Sequence, residues 1–262
     1  ASLFNSNYVL MMILGALFVL FYTFIGGFLA ESASDFMQGV VMIISLTAVV
    51  SIGISAAGGL SSVVANARKI PGFLDFFGIA QPVVVDGVQQ VGANGQPLFG
   101  AAGRYGFLTV ISTLSWGLGY FGMPQVLLKF MAIEKTSQLT LSRRIATVWC
   151  AISLAAAVGI GIIGRLIYPA AFLTQSAAEN IFILMATSSF IPLLAGFVMA
   201  GILAATISSS DSYLLIAASA FSKSIYQGIM KKEASDRTVL IVTRITLLVI
   251  AVFGMLIALD EN

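Results

Sequence analysis

The sequence predicts an all-α polytopic membrane protein. Three observations carry that expectation: a composition too apolar to face water, long apolar runs, and basic residues gathered in or beside the segments between them. Of 262 residues, 59% are hydrophobic and 9% charged, whereas a soluble domain carries roughly 25% charged residues. So few charges cannot cover a water-facing surface. The net charge is only +2, and no basic stripe offers itself to nucleic acid. There is no His and a single Cys, Cys150, inside an apolar run. This excludes a disulfide framework, a zinc site and His-assisted nucleophilic catalysis, so no enzyme is expected and Cys150 is read as packing. The chain opens on ASLFNSNYVL, without the charge pattern of a signal peptide, and stops at ALDEN directly after an apolar run. Both ends are expected to be cut, leaving an internal piece of a longer, transporter-sized protein.

Six runs reach the about 20 residues that a hydrocarbon core of about 30 Å requires. They cover residues 8–30, 36–60, 107–131, 145–168, 193–221 and 239–259. The acidic segment Glu31 to Asp35 separates the first two. Lys129, Lys135, Arg143 and Arg144 lie between the third and fourth, and Lys223, Lys231, Lys232, Arg237 and Arg244 lie around the gap before the sixth. The opposite side holds fewer basic residues: Arg68, Lys69 and Arg104 in one loop and Arg165 near the next. The positive-inside rule places the richer side in the cytoplasm. The whole chain, residues 1–262, then reads as one incomplete transmembrane domain, with extracellular loops at 61–105 and 169–192.

The longer outer loop contains VVVDGVQQVGANGQPLFG, residues 83–100. Asp86-Gly87 and Asn94-Gly95 are turn dipeptides beside β-branched residues, so a small hairpin or a disordered loop is expected. In the second loop, Ile181, Leu184 and Met185 follow helical spacing and Pro192 ends the run, which reads as a surface amphipathic helix or as an outer lid. Arg165, at the end of the fourth run, is expected to snorkel to the interface.

Two constellations carry chemistry. The first is WGLGYFGMP, residues 116–124, inside the third run. Lipid cannot satisfy free backbone groups, so a broken helix at membrane depth must be buried in protein or line a wet cavity. There its freed amides and carbonyls can bind ions or polar solutes. Gly117, Gly119 and Gly122 permit unwinding, and Pro124 removes a donor. Trp116 and Tyr120, four apart, can share a face against a flat apolar solute. The competing reading is a close helix crossing, for which Gly is equally suited.

The second is AATISSSDSYLL, residues 204–215, in the fifth run. Asp211 costs roughly 2.5–3.5 kcal/mol at a helix centre, which commonly marks an ion path. Ala205, Ser208 and Ser209 stand at i, i+3 and i+4, and Ser208, Asp211 and Ser212 repeat the pattern one turn on. Hydroxyls, a carbonyl and a carboxylate are the hard oxygen ligands a cation takes. The alternative is serines bonded to their own backbone with Asp211 near the water level. Asp35, after Ser34 at the start of the second run, reads as that helix's N-cap or as a carboxylate on a cation exit path facing the fifth run. Glu31 is expected in solvent.

FYTFIGGFLAESASDFMQ (residues 21–38), WGLGYFGMPQVLLKFMA (116–132), SRRIATVW (142–149) and GILAATISSSDSYLLIAASAFSKSIY (201–226) together resemble the sodium:solute symporter family, the second segment being typical of its proline branch. The resemblance implies a partial LeuT-type inverted-repeat fold, with the six runs resembling core helices four to nine and the third being a broken helix. It implies that Trp116, Tyr120 and Pro124, with the backbone around Gly117 and Gly119, contact L-proline. Ala205 through its carbonyl, with Ser208 and Ser209 through their hydroxyls, would hold the coupling sodium ion. Asp35, Asp211 and Ser212 would form a second sodium site or its exit path. Met123 and Gln125 depart from the Gln and His common in the family at those positions, which bears on the exact solute.

The implied activity is sodium-coupled uptake of L-proline across the cytoplasmic membrane, with sodium, L-proline and membrane lipid as partners. One charge moved down about 100 mV is worth about 2.3 kcal/mol, enough to hold a solute gradient of roughly fifty-fold. The rivals are symport of another amino acid or pantothenate, a transporter-like sensor, and an ion channel. Because core helices one to three and ten have no counterpart here, the 262 residues alone are expected not to transport.

Overall fold

The computed structural model describes residues 7–120, 122–171 and 173–259, with the backbone alone for residues 175 and 176. The chain divides into two compact units, residues 1–42 with 200–262, and residues 43–199. Among the described residues four helices are long and apolar enough to cross a membrane: Tyr8–Ala56, Thr136–Ile167, Pro192–Met230 and Asp236–Ala258. The six expected runs map onto these elements with differences in two places.

The first two expected runs fall in α1 (Tyr8–Ala56), two helical stretches joined across a kink at Gly27 rather than parted at Glu31 to Asp35. The segment Glu31 to Asp35 contains no Gly or Pro to stop it and is helical throughout, so neither a loop nor an N-cap at Asp35 forms there. The one non-helical residue is Gly27, at φ 52 and ψ −140. Only glycine adopts that backbone without strain, so α1 kinks there rather than ending. The third run, by contrast, is cut short. Helix α3 (Phe107–Tyr120) has 14 residues and α4 (Pro124–Met131) has 8, each below the length of a crossing. Met123 is extended at φ −70 and ψ 121, and Pro124 takes the first position of α4, where its missing N–H costs nothing.

In the unit of residues 43–199, α1 is followed by α2 (Leu60–Ala67) and by two short antiparallel ladders. Strands β1 (Gly78–Ile79) and β4 (Gly103–Arg104) pair Gly78 with Arg104. Strands β2 (Val84–Val85) and β3 (Val88–Gln89) form a hairpin whose turn, Asp86 at φ 51 and Gly87 at φ 77, is the one Asp-Gly favours. The fourth run forms α5 (Leu139–Ile167), followed by the short α6 (Gln175–Ala178) and by α7 (Ile181–Ser189). Helix α7 packs by one face and leaves Thr187 and Ser188 exposed. Met185 and Ala186 are buried with Val49, Val63, Ile160, Ile163 and Val198 in this unit's core. Gly164 of α5 permits the approach, since a Cβ there would collide with the Ile181 side chain. Cys150, expected to pack, is exposed.

In the other unit, Leu20, Leu215, Ala218, Leu247 and Ala251 form the core. Leu215 and Ala218 belong to α8 (Pro192–Ser219), which runs on as a π-helical stretch, Ala220–Met230, through Lys223. Helix α9 (Asp236–Ala258) starts with Ser235 accepting from the Thr238 amide and with Asp236 favourably placed in its first turn. Arg244, grouped with the loop residues by sequence, lies within α9 with its guanidinium 5.2 Å from the centre of the Phe24 ring.

Candidate functional site

A polar seam joins α1 to α8 within the unit of residues 1–42 and 200–262. The Ser208 hydroxyl donates to Asp35 Oδ1 at 2.5 Å, and the Ser212 hydroxyl donates to Glu31 Oε1 at 2.5 Å. The two bonds follow from sequence spacing. Glu31 and Asp35 are four apart on α1, Ser208 and Ser212 are four apart on α8, and the helices run antiparallel, so one turn of each matches one turn of the other. Beyond the kink at Gly27, the Tyr22 hydroxyl donates to Asp211 Oδ2. Glu31 is 1% exposed and Asp211 is fully buried. Carboxylates are tolerated away from water only when donors or cations face them. The other oxygen of Asp211, Oδ1, is buried and accepts no hydrogen bond among the described residues.

The predicted cation residues therefore separate. Ser208 and Ser212 reach across to carboxylates on α1. Ser209 is exposed, and its hydroxyl donates to the Ala205 carbonyl at 3.2 Å; Ser210 likewise donates to the Thr206 carbonyl at 2.9 Å. Some serines of the segment thus satisfy their own helix and others build the seam. Among the described residues no group of three or more Asp, Glu, His or Cys side chains gathers closely enough to hold a metal ion by itself. What the seam offers is a line of hydroxyl and carboxylate oxygens, the ligand type a hard cation takes.

The predicted solute residues lie in the other unit. The helix runs through Gly117 and Gly119 to Tyr120, and among the described residues of the motif the non-helical backbone is that of Gly122 and Met123. Phe121, part of the same motif, lies outside the described residues. Trp116 and Tyr120 do share a face, with ring centroids 5.5 Å apart and planes 44° apart. Both are exposed, Trp116 at 74%. Around Gly117 and Gly119 there is open space where a side chain would stand.

Two participants escaped the sequence reading. Glu31 was expected in solvent and is buried. Its four-residue step to Asp35 was the available signal, obscured by the assumption of a loop at Glu31 to Asp35. Tyr22 was not singled out because the kink at Gly27 breaks the helical phase linking it to Glu31. Arg165, expected to snorkel, instead clasps the outer loop: it donates to the Pro169 carbonyl at 2.7 Å and to Gln89 Oε1 at 3.3 Å, and lies 5.3 Å from the Phe99 ring centre.

Long apolar helices with buried carboxylates between them define a multi-pass membrane protein. Comparison with known proteins sharpens this. The chain belongs to the sodium:solute symporter family, which it matches over residues 1–262. It is 34% identical over 262 residues to the osmoregulated proline transporter OpuE of Bacillus subtilis (strain 168), covering 100% of this chain and 48% of that protein. It is 32% identical over 265 residues to a sodium/proline symporter of Staphylococcus aureus, covering 100% of this chain and 47% of that protein. The chain thus spans about half the length of the curated relatives it matches. It is a chain of a transporter family and not an enzyme.

Proposed function

We propose that the chain forms part of a sodium/proline symporter, taking up L-proline with sodium across the cytoplasmic membrane. The observation that carries the cation half of this reading is the oxygen seam in which Glu31, Asp211 and Ser212 are buried and Asp35 and Ser208 half-buried. The solute half is supported by the relatives' names, by the paired rings of Trp116 and Tyr120, and by the helix break before Pro124.

On this reading sodium first engages oxygens of α8, with the Ala205 carbonyl and the Ser208 and Ser209 hydroxyls as its ligands. For that, Ser209 must release the Ala205 carbonyl, and Ser208 must share its oxygen with the ion. Sodium then leaves along Ser212, Asp211 and Asp35, where carboxylates attract it without enclosing it. Proline stacks its apolar ring on Trp116 and Tyr120 while the backbone from Gly117 and Gly119 to Pro124 meets its polar groups. The six runs correspond to core helices four to nine of the LeuT-type inverted repeat, with the segments carrying Lys129 to Arg144 and Lys223 to Arg244 in the cytoplasm and those at 61–105 and 169–192 outside.

The solute is tested by competition. Uptake of radiolabelled L-proline by the intact protein in proteoliposomes is expected to be blocked by excess unlabelled proline and unaffected by pantothenate or other amino acids. Block by pantothenate, or no proline uptake by folded protein, would move the assignment to another solute.

A further inference from the structure

We infer that the turn at residues 71–77 is a membrane-interface anchor: Phe76 and Phe77 enter the boundary between headgroups and acyl chains, and Arg68, Lys69 and Arg104 meet the phosphates of anionic lipid. The first support is the turn itself. Phe76 is 90% exposed and Phe77 51%, with the two rings stacked edge to face at 5.0 Å. Leu74 beside them is also exposed. The turn is built rather than loose. The Phe73 amide donates to the Ile70 carbonyl at 3.2 Å and the Gly78 amide to the Asp75 carbonyl at 2.9 Å. Gly78 packs so closely on the backbone of Gly72 that a side chain there would collide with it. A rigid turn that projects two rings outward needs an apolar medium to receive them.

The second support is depth. The Tyr105 amide donates to the Phe77 carbonyl at 3.0 Å, and β1 pairs with β4 immediately beside that bond. Tyr105 stands two residues before Phe107, the first residue of α3, and two residues of chain reach about 7 Å. Phe107 and Leu108 are themselves 78% and 81% exposed. The turn is therefore fixed at the level where the chain begins its next apolar run. The Arg165 clasp holds Gln89 and Phe99 of the same loop near the end of α5, whose apolar span ends at Ile167. Tyr105, exposed at that level, is an amphipathic ring of the kind that marks a membrane interface, and Phe rings are among the apolar groups that insert beneath it.

The third support is charge. Arg68, Lys69 and Arg104 are exposed around the turn, against the single carboxylate of Asp75. Lys69 donates to Asn66 Oδ1 at 3.0 Å, which leaves further ammonium hydrogens for a phosphate. Apolar rings flanked by a basic surplus fit an anionic bilayer surface better than a neutral one.

The test places a nitroxide at Phe76→Cys in the intact protein reconstituted into liposomes, with Cys150 and any other cysteine of the intact protein replaced by Ser. A second label at Asp86→Cys, at the hairpin tip, serves as the aqueous reference. Collision with oxygen and with a neutral nickel chelate is read at each. The expected result is a label at 76 more accessible to oxygen than to the chelate, the reverse at 86, and a deeper label at 76 in phosphatidylglycerol vesicles than in phosphatidylcholine. Arg68→Gln with Lys69→Gln is expected to remove that difference between lipids. A label at 76 as open to the chelate as the one at 86 would overturn the anchor. So would a label shielded from both reagents, which would mean a protein partner. Equal depth in both lipids would overturn the phosphate contacts. Leu74→Cys repeats the measurement should the label at 76 disturb the turn.

Discussion

Individual hydroxyls on α8 divide into two kinds, and their removal separates them. Tyr22 supplies a donor to Asp211, and Ser212 supplies one to Glu31, both acceptors being buried. Tyr22→Phe and Ser212→Ala should each lower thermal stability in detergent by about 1 kcal/mol, the scale of an interhelical hydrogen bond in a membrane. Ser210 donates only to its own helix, so Ser210→Ala should stay within about 0.5 kcal/mol of the parent. Equal losses in all three variants would contradict the seam. Part of this was legible in sequence: Ser208, Asp211 and Ser212 stood out because serine and aspartate at helical spacing in an apolar run need partners. The partner residues on α1 were less legible. A carboxylate beside Ser and Ala resembles a loop until the opposing helix is known, and that is a long-range contact.

Helix geometry turns on two glycines. Gly27 has a positive φ that any other residue adopts only under strain. Gly27→Ala should destabilise by about 1–3 kcal/mol, or straighten the kink and separate Tyr22 from Asp211; thermal unfolding of the intact protein checks it, and an unchanged midpoint would contradict the kink. Gly164 stands where α5 meets α7, against Ile181 and Met185. Gly164→Leu should cost about 1–3 kcal/mol by overpacking, and an unchanged melting temperature would mean that α7 does not dock there. At this scale the sequence told more about where helices weaken than about where they end. The Gly and Pro of residues 116–124 marked the interruption before Pro124, yet the helix persists through Gly117 and Gly119. The polar segment Glu31 to Asp35 looked like a boundary, but without Gly or Pro it continues the helix, and its polarity serves the seam instead.

The protein is a multi-pass membrane protein of the sodium:solute symporter family. Its class was legible from composition alone, since so few charges cannot face water. The seam between α1 and α8, on which the proposed ion path rests, is a property of assembled helices and was not. Sodium coupling is the central claim, and it ties the seam to transport. The most direct measurement is radiolabelled L-proline uptake by the intact protein in proteoliposomes, with and without an inward sodium gradient, alongside Ser208→Ala/Ser209→Ala and Asp35→Asn. Uptake that requires the gradient in the parent, collapses in the serine variant, and needs more sodium in Asp35→Asn is the predicted result. Proline uptake by the parent that ignores sodium, or that survives loss of both hydroxyls with its sodium dependence unchanged, would contradict it.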